Sequence, residues 1–574
     1  MEYLKKYNEW LESTEIDNET KEELKQIADN KEEIKDRFYK NLEFGTAGLR
    51  GIVGAGTNRM NKYTVGVATQ GLANYIIKNK GQDRGVAIAY DSRIMSEEFS
   101  KLACLILNAN GIKTYRFESL RPAPELSFAV RELNCISGVV ITASHNPPKY
   151  NGYKVYWEDG AQITYPIDEQ ITKEVNKVKS YLEIKQITEE VAIQKGLYNV
   201  IGEEIDSKYI EYLKTLSLNP KIFKDTEKKI TIVYTPLHGT GKKLATRILE
   251  ELGFTNVHVV SEQAEGDGSF PTIEYPNPED PEAFKLALKL AKKVDADIVI
   301  ANDPDADRIG LYVKDDKTGE YILFNGNMIG VIIADYIINQ KREKGLLKKK
   351  SALIKTIVSS NMTDRICESN GVSTFEVLTG FKNIAAKIKE FEENNMYEFI
   401  MAYEESYGSL VGKKVRDKDG IVALMLLTEA ATFYKKEGLT LWDKMLKLYE
   451  EFGYYKEKQV SITLEGADGA QKIKYMMEKI RNNPPKFVGE YKVLKFRDYL
   501  NDSIIDCIEE RTYKGDLPKS NVLYIELEND FWCCIRPSGT EPKIKFYMGV
   551  KGESLEDANR LVVKLTEGMK ELMK

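Results

Sequence analysis

The chain has 574 residues, 42% of them hydrophobic and 30% charged, and its formal net charge is −6. This length is too great for one hydrophobic core and predicts three or four domains. The composition is typical of a soluble globular protein, and no apolar run approaches the ~18 residues that cross a membrane. Because no domain carries a basic face, nucleic acid is excluded as the main partner.

The cysteines and the N-terminus predict a cytoplasmic location. The N-terminal residues are polar and acidic, without a secretory or transit signal. None of the six cysteines has the spacing of a metal site, so reduced thiols are expected: Cys104, Cys135, Cys367, Cys507, Cys533 and Cys534. The oligomeric state cannot be predicted from these features.

Taken in chain order, the predicted elements begin with two or three amphipathic helices before residue 43, one of them over 18–30 after the possible cap Asp17. Strands and helices then alternate three times, each block ending in a polar loop after a buried strand. The predicted strands of these blocks cover 85–90, 114–117, 136–142, 229–234, 296–301, 351–358 and 398–402; the predicted helices include 62–80 and 96–110.

The last block has a different pattern. A half-exposed strand over 459–464, a helix over 467–481 and a terminal helix over 554–573 predict an α+β domain with an antiparallel sheet. A hairpin signal over 314–319 marks the junction of the second and third blocks. The predicted class is therefore α/β, with three similar α/β domains and a C-terminal α+β domain. The predicted domain boundaries are 1–205, 206–322, 323–455 and 456–574.

The loop after the strand over 136–142 is the first candidate site. Its sequence, Ala143 to Pro148 (ASHNPP), ends the strand abruptly, because proline lacks an N–H and holds the preceding residue extended. The carboxyl ends of buried parallel strands are where open α/β sheets place their chemistry. Ser144 is thus a candidate nucleophile, with His145 and Lys154 close by.

The second candidate loop runs from Asn302 to Arg308 (NDPDADR) and follows another buried strand. Its carboxylates, Asp303, Asp305 and Asp307, converge on one centre only if a cation offsets their repulsion. The loop lacks the glycine and glutamate of an EF-hand, and it does not have the pattern of a dehalogenase-type aspartyl nucleophile. A Mg²⁺ ion with incomplete protein coordination fits best, which leaves room for a phosphate oxygen.

Several further loops offer groups that suit a phosphorylated sugar. The glycine-rich run EFGTAGLRG places Thr46 and Arg50 where backbone N–H groups can face an anion. The carboxylate and hydroxyl of Glu404 and Ser406 lie two residues apart and can grip adjacent hydroxyls. The remaining candidates are Arg308 in the acidic loop, Thr379 and Gly380 in LTGFK, Lys418 in RDKDG, and Arg536, Ser538, Gly539 and Thr540 in RPSGTEP.

The motifs TASHNPP, DPDADR, EESYG and RPSGTEP, in this order, resemble those of the α-D-phosphohexomutase family from about residue 43 to the C-terminus. The resemblance implies three α/β/α domains with mixed, mainly parallel sheets and a smaller, mobile C-terminal domain around a central cleft. It also implies a phosphoserine at Ser144, and a Mg²⁺ ion bound by phospho-Ser144, Asp303, Asp305 and Asp307. The sugar-selecting pair is expected at Glu404 and Ser406, and the phosphate loop from Arg536 to Thr540.

The N-terminus and the length resemble the phosphoglucomutase branch, which also contains phosphopentomutases and a glucose-1,6-bisphosphate synthase. This implies interconversion of α-D-glucose 1-phosphate and glucose 6-phosphate through a bound 1,6-bisphosphate, with one Mg²⁺ ion and glucose 1,6-bisphosphate as activator. His145, Lys154 and Lys418 are the unranked candidates for general acid and base. Phosphomannomutase and phosphopentomutase activity remain alternatives; a Mg²⁺-dependent sugar phosphatase and a hexose-phosphate sensor are weaker ones. The charged run over 454–458 is expected to be the linker to the mobile domain.

Overall fold

The computed structural model describes residues 2–45, 48–222, 229–464, 466–538 and 543–573. The chain forms two units. The first consists of Met1–Asn325 and Tyr407–Thr440, and the second consists of Gly326–Ser406 and Leu441–Lys574. Among the residues described, no helix combines the length and the apolar character that are needed to cross a membrane.

Three short helices begin the chain: α1 (Glu2–Glu12), α2 (Asn18–Gln26) and α3 (Lys31–Phe38). Asp17 caps α2 by accepting the N–H of Thr20, as the sequence predicts. The helix ends at Gln26 and not at residue 30, because Asn30 instead caps α3. Trp10 and Phe38 pack in one apolar cluster with Tyr63, so the helices cover part of the first α/β domain.

A mixed sheet forms the centre of the first α/β domain. Its elements are β1 (Gly48–Ile52), α4 (Lys62–Lys78), β2 (Val86–Tyr90), α5 (Ser96–Ala109), β3 (Thr114–Phe117), α6 (Ala123–Glu132), β4 (Ser137–Ile141), β5 (Tyr150–Trp157), α7 (Ile167–Val175), α8 (Glu189–Gln194) and β6 (Tyr198–Ile201). The strand order is β1-β5-β4-β2-β3-β6. The last four strands in this order are parallel, and β5 is antiparallel to both of its neighbours, β4 and β1. Strands β2 and β4 are buried at every position, which explains their continuous apolar sequences.

The second sheet of the first unit has the order β11-β10-β9-β7-β8. Its elements are α9 (Glu203–Lys214), β7 (Ile232–Thr235), α10 (Lys242–Glu251), β8 (Val257–Val259), α11 (Lys285–Val294), β9 (Ile298–Asn302), β10 (Ile309–Lys314) and β11 (Tyr321–Phe324). Strands β7, β8 and β9 are parallel, and β10 is antiparallel to both of its neighbours, β9 and β11. The predicted hairpin over 314–319 is confirmed, because it joins β10 to β11.

The second unit begins with a third α/β block: α12 (Gly326–Glu343), β12 (Ser351–Thr356), α13 (Met362–Ser369), β13 (Ser373–Val377), α14 (Phe381–Asn394) and β14 (Glu398–Glu404). Its central strand β12 pairs in parallel with both β13 and β14. The next two elements, β15 (Gly408–Val411) and α15 (Gly420–Lys436), are part of the first unit. There, Gly408 forms a β-bridge with Arg308.

The rest of the second unit is an antiparallel sheet with helices. Its elements are α16 (Leu441–Phe452), β16 (Tyr454–Thr463), α17 (Gly466–Asn482), β17 (Phe487–Val488), β18 (Tyr491–Asp498), β19 (Ser503–Asp506), β20 (Arg511–Lys514), β21 (Leu523–Leu527), β22 (Trp532–Pro537), β23 (Lys543–Gly552) and α18 (Leu555–Leu572). The strand order is β16-β23-β22-β21-β18-β19-β20, and β17 pairs with β18.

One local expectation is wrong. The charged run over 454–458 is not a linker but the first half of β16, which pairs with β23 along its whole length. The reason is that β16 is the edge strand of its sheet, where charged side chains are common. The predicted fold class is confirmed, with three α/β/α domains that have mixed sheets and a C-terminal domain rich in antiparallel strands. The domain boundaries at residues 205, 322 and 455 stay predictions.

Candidate active site

Ser144 lies in a tight turn directly after β4. Its φ is +51°, in the left-handed region that a serine rarely adopts. The Ser144 N–H donates to Thr142 Oγ1 at 2.8 Å, and only 4% of Ser144 is exposed. The turn therefore holds the serine hydroxyl in a fixed, nearly buried position.

The acidic loop after β9 is held by its backbone. Three of its carbonyl oxygens accept N–H groups from other parts of the first unit: Pro304 O from Thr240 at 2.8 Å, Asp305 O from Ala123 at 2.9 Å and Ala306 O from Gly420 at 3.1 Å. A side chain at Gly420 would place its Cβ 2.5 Å from Asn302 Nδ2 and 2.7 Å from Ala306 O. Glycine is thus required where α15 begins against this loop.

The two loops meet at the serine hydroxyl. Ser144 Oγ donates to Asp303 Oδ2 at 2.6 Å. Asp303, Asp305 and Asp307 are all buried, and one carboxylate oxygen of each lies within 4.8 Å of the others. Residues separated by about 160 positions in sequence are therefore in direct contact.

The donor set fits a hard divalent cation. Burial and the charges of Asp305 and Asp307 raise the pKa of Asp303 well above its usual range. The buried oxygens Asp305 Oδ1 and Asp307 Oδ1 accept no hydrogen bond from the residues that the structure describes. Carboxylate and hydroxyl oxygens are the ligands that Mg²⁺ prefers, and a bound cation would offset the repulsion that raises the Asp303 pKa.

Two lysines lie against the same carboxylates. Lys154 Nζ is 2.8 Å from Asp305 Oδ2 and 3.7 Å from Asp307 Oδ2, and Lys418 Nζ is 3.1 Å from Asp307 Oδ2. Burial opposes the charge on Lys154, but Asp305 and Asp307 outweigh it and raise the Lys154 pKa. Burial opposes the charge on Asp305, but the charges of Lys154 and Lys418 outweigh it and hold the pKa of Asp305 below its usual range. Lys154 is therefore a charged group at neutral pH.

His145 lies beside the serine hydroxyl, and Arg50 contacts the loop that carries it. His145 Nδ1 is 3.2 Å from Ser144 Oγ. Burial and the charges of Arg308 and Arg50 lower the pKa of His145 well below its usual range, so the imidazole is neutral at pH 7. Arg50 lies opposite Gly152 in the β1–β5 pair and donates to Asn146 Oδ1 at 3.1 Å. Thr46 lies outside the described residues.

Two buried aspartates to which the sequence analysis gave no role support the loop that carries Lys418. Asp417 accepts the Tyr156 hydroxyl at 2.6 Å and Gln162 Nε2 at 2.7 Å, and its other oxygen is 3.5 Å from Lys418 Nζ. Asp419 accepts the N–H groups of residues 421 and 422 at the start of α15. The motif RDKDG therefore holds Lys418 between two anchored carboxylates.

Arg308, the last residue of the acidic motif, points to another acid. Its guanidinium is 2.5 Å from Glu279 Oε1, and its backbone N–H donates to Asp303 Oδ1 at 2.9 Å. The structure thus brings together in the first unit Ser144, His145, Lys154, Asp303, Asp305, Asp307, Arg308, Lys418 and, through Asn146, Arg50.

The sugar-loop candidates lie in the second unit. Glu404 ends β14 and is buried, whereas Ser406 is half-buried. Glu405 between them accepts the Thr356 hydroxyl at 2.9 Å, and burial with the charge of Glu404 raises the pKa of Glu405 to about 7. The preceding Tyr403 points into the core, where its hydroxyl lies 2.6 Å from Thr363 Oγ1.

The phosphate-loop candidates are also in the second unit. Arg536 on β22 lies opposite Lys545 of β23, and the Ser538 N–H donates to Lys543 O at 2.7 Å. Gly539 and Thr540 lie outside the described residues. Thr379 and Gly380 precede α14, and the carbonyl of Thr379 accepts Asn383 Nδ2 at 3.0 Å. Each of these loops therefore begins at the end of a strand or at the start of a helix.

Comparisons with known proteins identify the family of the chain. Models of the phosphoglucomutase/phosphomannomutase α/β/α domains I, II and III match residues 41–182, 207–319 and 325–452. A phosphoglucomutase of Staphylococcus haemolyticus (strain JCSC1435) is 37% identical over 530 residues, which cover 91% of this chain and 93% of that protein. The chain belongs to the phosphoglucomutase/phosphomannomutase family.

Solved structures share the fold of this phosphohexomutase. The exocytosis-sensitive phosphoprotein pp63/parafusin, a phosphoglucomutase from Paramecium, has a TM-score of 0.69 at 17% identity and covers 93% of this chain and 95% of its own. The N-acetylphosphoglucosamine mutase of Aspergillus fumigatus, solved with GlcNAc-6P and magnesium, has a TM-score of 0.51 at 13% identity and covers 93% and 97%. The family that the four motifs predict is confirmed.

Proposed function

We propose that the protein is a phosphoglucomutase that interconverts α-D-glucose 1-phosphate and glucose 6-phosphate. The observation that carries this is the contact of Ser144 Oγ with Asp303 in a buried cluster of three carboxylates and two lysines. A hydroxyl beside a cation site is what phosphoryl transfer through a serine requires. The Staphylococcus relative, which has this activity name, is similar over nearly the whole chain.

Asp303, Asp305 and Asp307 would hold one Mg²⁺ ion together with the phosphate on Ser144. When bound, the ion neutralises negative charge on the phosphoryl group while it is transferred. The magnesium in the N-acetylphosphoglucosamine mutase complex supports this assignment. Three carboxylates and a phosphate of about −1.5 to −2 charge exceed what Lys154 and Lys418 can balance.

The reaction uses Ser144 twice. The bond between Ser144 Oγ and phosphorus breaks, a bond forms from phosphorus to the free hydroxyl oxygen of the sugar phosphate, and that hydroxyl loses its proton. In net terms this proton passes to Ser144 Oγ, which becomes a neutral hydroxyl. The resulting 1,6-bisphosphate turns end for end, and the reverse transfer of its other phosphoryl group restores phospho-Ser144. Free glucose 1,6-bisphosphate acts as activator because it rephosphorylates any enzyme that has lost its phosphate.

The proton-transfer roles follow from the geometry. Neutral His145, 3.2 Å from Ser144 Oγ, is placed to exchange a proton with that oxygen. The raised pKa keeps Lys154 charged beside Asp305 and Asp307, and Lys418 lies 3.1 Å from Asp307, so both lysines are placed to stabilise charge on the transferring group. In the second unit, Glu404 and Ser406 bind sugar hydroxyls, whereas Thr379, Gly380, Arg536 and Ser538 contribute to binding of the substrate and its second phosphate.

Arg536→Ala should lower kcat/KM for glucose 1-phosphate by about tenfold or more. A charge-assisted contact to phosphate contributes about 1.5–3 kcal/mol, and its loss also lets bisphosphate escape before the second transfer. Steady-state kinetics should show a higher KM and a stronger dependence on added glucose 1,6-bisphosphate. Arg497→Ala is the control, because Arg497 lies in the same sheet and pairs with Glu526. If Arg536→Ala has wild-type kinetics, this loop does not bind the second phosphate.

The preferred sugar is tested by measuring kcat/KM for glucose, mannose and ribose 1-phosphates side by side, each with glucose 1,6-bisphosphate present. We expect glucose 1-phosphate to be the best substrate, and we expect release of inorganic phosphate to be slow compared with isomerisation. A higher kcat/KM for mannose or ribose 1-phosphate would make the protein a phosphomannomutase or phosphopentomutase. Phosphate release in step with substrate loss would indicate a phosphatase.

A further inference from the structure

Arg93 lies three residues beyond the end of β2, the neighbour of β4 in the first sheet. None of its side chain is exposed. The charge of a fully buried guanidinium is costly unless its surroundings compensate it. Its partners therefore indicate what the residue does.

Those partners are four carbonyl oxygens of one short loop, the loop that carries Ser144. The first terminal nitrogen of Arg93 donates to Pro147 O and Tyr150 O, each at 2.9 Å. The second donates to Ser144 O at 2.5 Å and also to Asn146 O. All four N–H groups of the two terminal nitrogens are directed at the loop backbone.

The guanidinium is itself held in place. Its Nε lies 3.3 Å from Asp91 Oδ2, and Asp91 Oδ1 accepts the Arg93 backbone N–H at 2.9 Å and the Ser96 hydroxyl at 2.7 Å. The ring of Phe270 covers the guanidinium, with its centroid 5.1 Å from Cζ. The guanidinium is thus also held by groups outside the loop.

The loop needs such a cation for two reasons. Pro147 and Pro148 have no N–H, so the loop has few internal donors for its inward-facing carbonyl groups. Ser144 also has a φ of +51°, a conformation that persists in a non-glycine residue only where the surroundings impose it. A planar group with N–H donors spread around its edge matches four converging carbonyls, and the ammonium of lysine does not.

We propose that Arg93 is a positioning residue for phosphoryl transfer: it holds the backbone of 144–150 so that Ser144 Oγ faces Asp303. Arg93 acts through the carbonyls and does not touch the reacting atoms. The inference rests on the proposed role of Ser144 as the phosphorylated nucleophile. It predicts that loss of the arginine fork misaligns the transfer step without removing any group that binds substrate or metal.

The test uses Arg93→Lys with Arg116→Lys as its matched control. Arg116 is another buried arginine of the same sheet, but it bonds to Ser100 Oγ at 2.9 Å and stacks 4.6 Å from the Tyr90 ring, away from the loop. We expect Arg93→Lys to lower kcat about 100-fold, since a misplacement near 1 Å costs about that factor, and to leave KM within about threefold of wild type. Arg116→Lys should keep kcat within about threefold of wild type. Its Tm should fall by about as much as the Tm of Arg93→Lys.

A second readout separates positioning from folding. In Arg93→Lys the ratio of inorganic phosphate released to sugar phosphate isomerised should rise at least tenfold, because a misaligned phosphoserine transfers to water more often than to the sugar. A third variant, Asp91→Asn, keeps the carbonyl contacts but loses the ion pair, and a smaller change in the same ratio is expected. If Arg93→Lys does not fold, Asp91→Asn decides the outcome alone.

The proposal is overturned if kcat and the phosphate ratio of Arg93→Lys match those of Arg116→Lys, or if its loss lies entirely in KM. In the case where only Asp91→Asn folds, an unchanged ratio in that variant overturns it. Phosphopeptide mapping of the wild-type protein is run alongside. A phosphate on a residue other than Ser144 would instead contradict the proposed function, so the two failures are distinguishable.

Discussion

Ser144→Ala should lower mutase turnover by about 10⁴-fold or more and should leave the purified protein without phosphate. Loss of a nucleophile removes the covalent route entirely, and its neighbours cannot replace it. His145 lies 3.2 Å from Ser144 Oγ, and Lys154 pairs with Asp305 at 2.8 Å, but neither side chain carries the hydroxyl that accepts the phosphoryl group. Coupled-assay kinetics and intact-mass spectrometry measure the two effects.

Ser137→Ala is the control for this variant. Ser137 lies on β4, the strand that leads to Ser144, and its buried hydroxyl donates to Tyr156 O at 2.7 Å. Its loss should cost about 1 kcal/mol of the free energy of unfolding and leave turnover and phosphate content unchanged. Phosphate that persists on Ser144→Ala would place the nucleophile elsewhere.

Asp305→Asn should lower kcat by about 10²–10⁴-fold and change KM little. The carboxylate contacts Lys154 Nζ at 2.8 Å and is a proposed Mg²⁺ ligand, so its charge acts mainly on the transferring group in the transition state. The amide has nearly the same shape, which leaves the loop backbone intact. Steady-state kinetics over a range of Mg²⁺ concentrations give kcat, KM and the metal dependence together.

Asp297→Asn provides the matched comparison. Asp297 lies next to the first residue of β9, at the opposite end of the same strand, and it accepts the Thr231 N–H at 2.7 Å. Its variant should keep kcat within about threefold, since it lies far along the strand from the three ligand carboxylates. Full recovery of Asp305→Asn activity in excess Mg²⁺ would show that the acidic loop has a structural role and no catalytic one.

The strands and loops that carry chemistry could be predicted because their signals are local. Residues 137–141 and 298–302 are mainly apolar and buried, which identifies them as strands. The loops after these strands are recognised from a few adjacent residues, such as the prolines after Ser144. Buried parallel strands give the same signal in any context, which is why the α/β class and the order of blocks were predictable.

Other features depend on partners that are distant in sequence. Arg93 binds carbonyl oxygens of residues 144–150. Because every residue has a backbone carbonyl, the sequence does not indicate which of them accept a hydrogen bond. Asp417 acquires its role only because Tyr156 and Gln162 reach it across more than 250 positions. The run over 454–458 was misinterpreted because charge is typical both of linkers and of edge strands, and only pairing with β23 distinguishes them.

The most direct test of the account is the fate of the phosphate on Ser144 during one turnover. Protein labelled with ³²P by labelled glucose 1,6-bisphosphate is mixed with unlabelled glucose 1-phosphate and Mg²⁺, and the products are quenched at short times. We predict that the label leaves Ser144 for sugar phosphates at the rate of turnover, while the protein stays phosphorylated with phosphate from the substrate. Label that stays on the protein during isomerisation, or that leaves only as inorganic phosphate, would contradict phosphoryl transfer through Ser144.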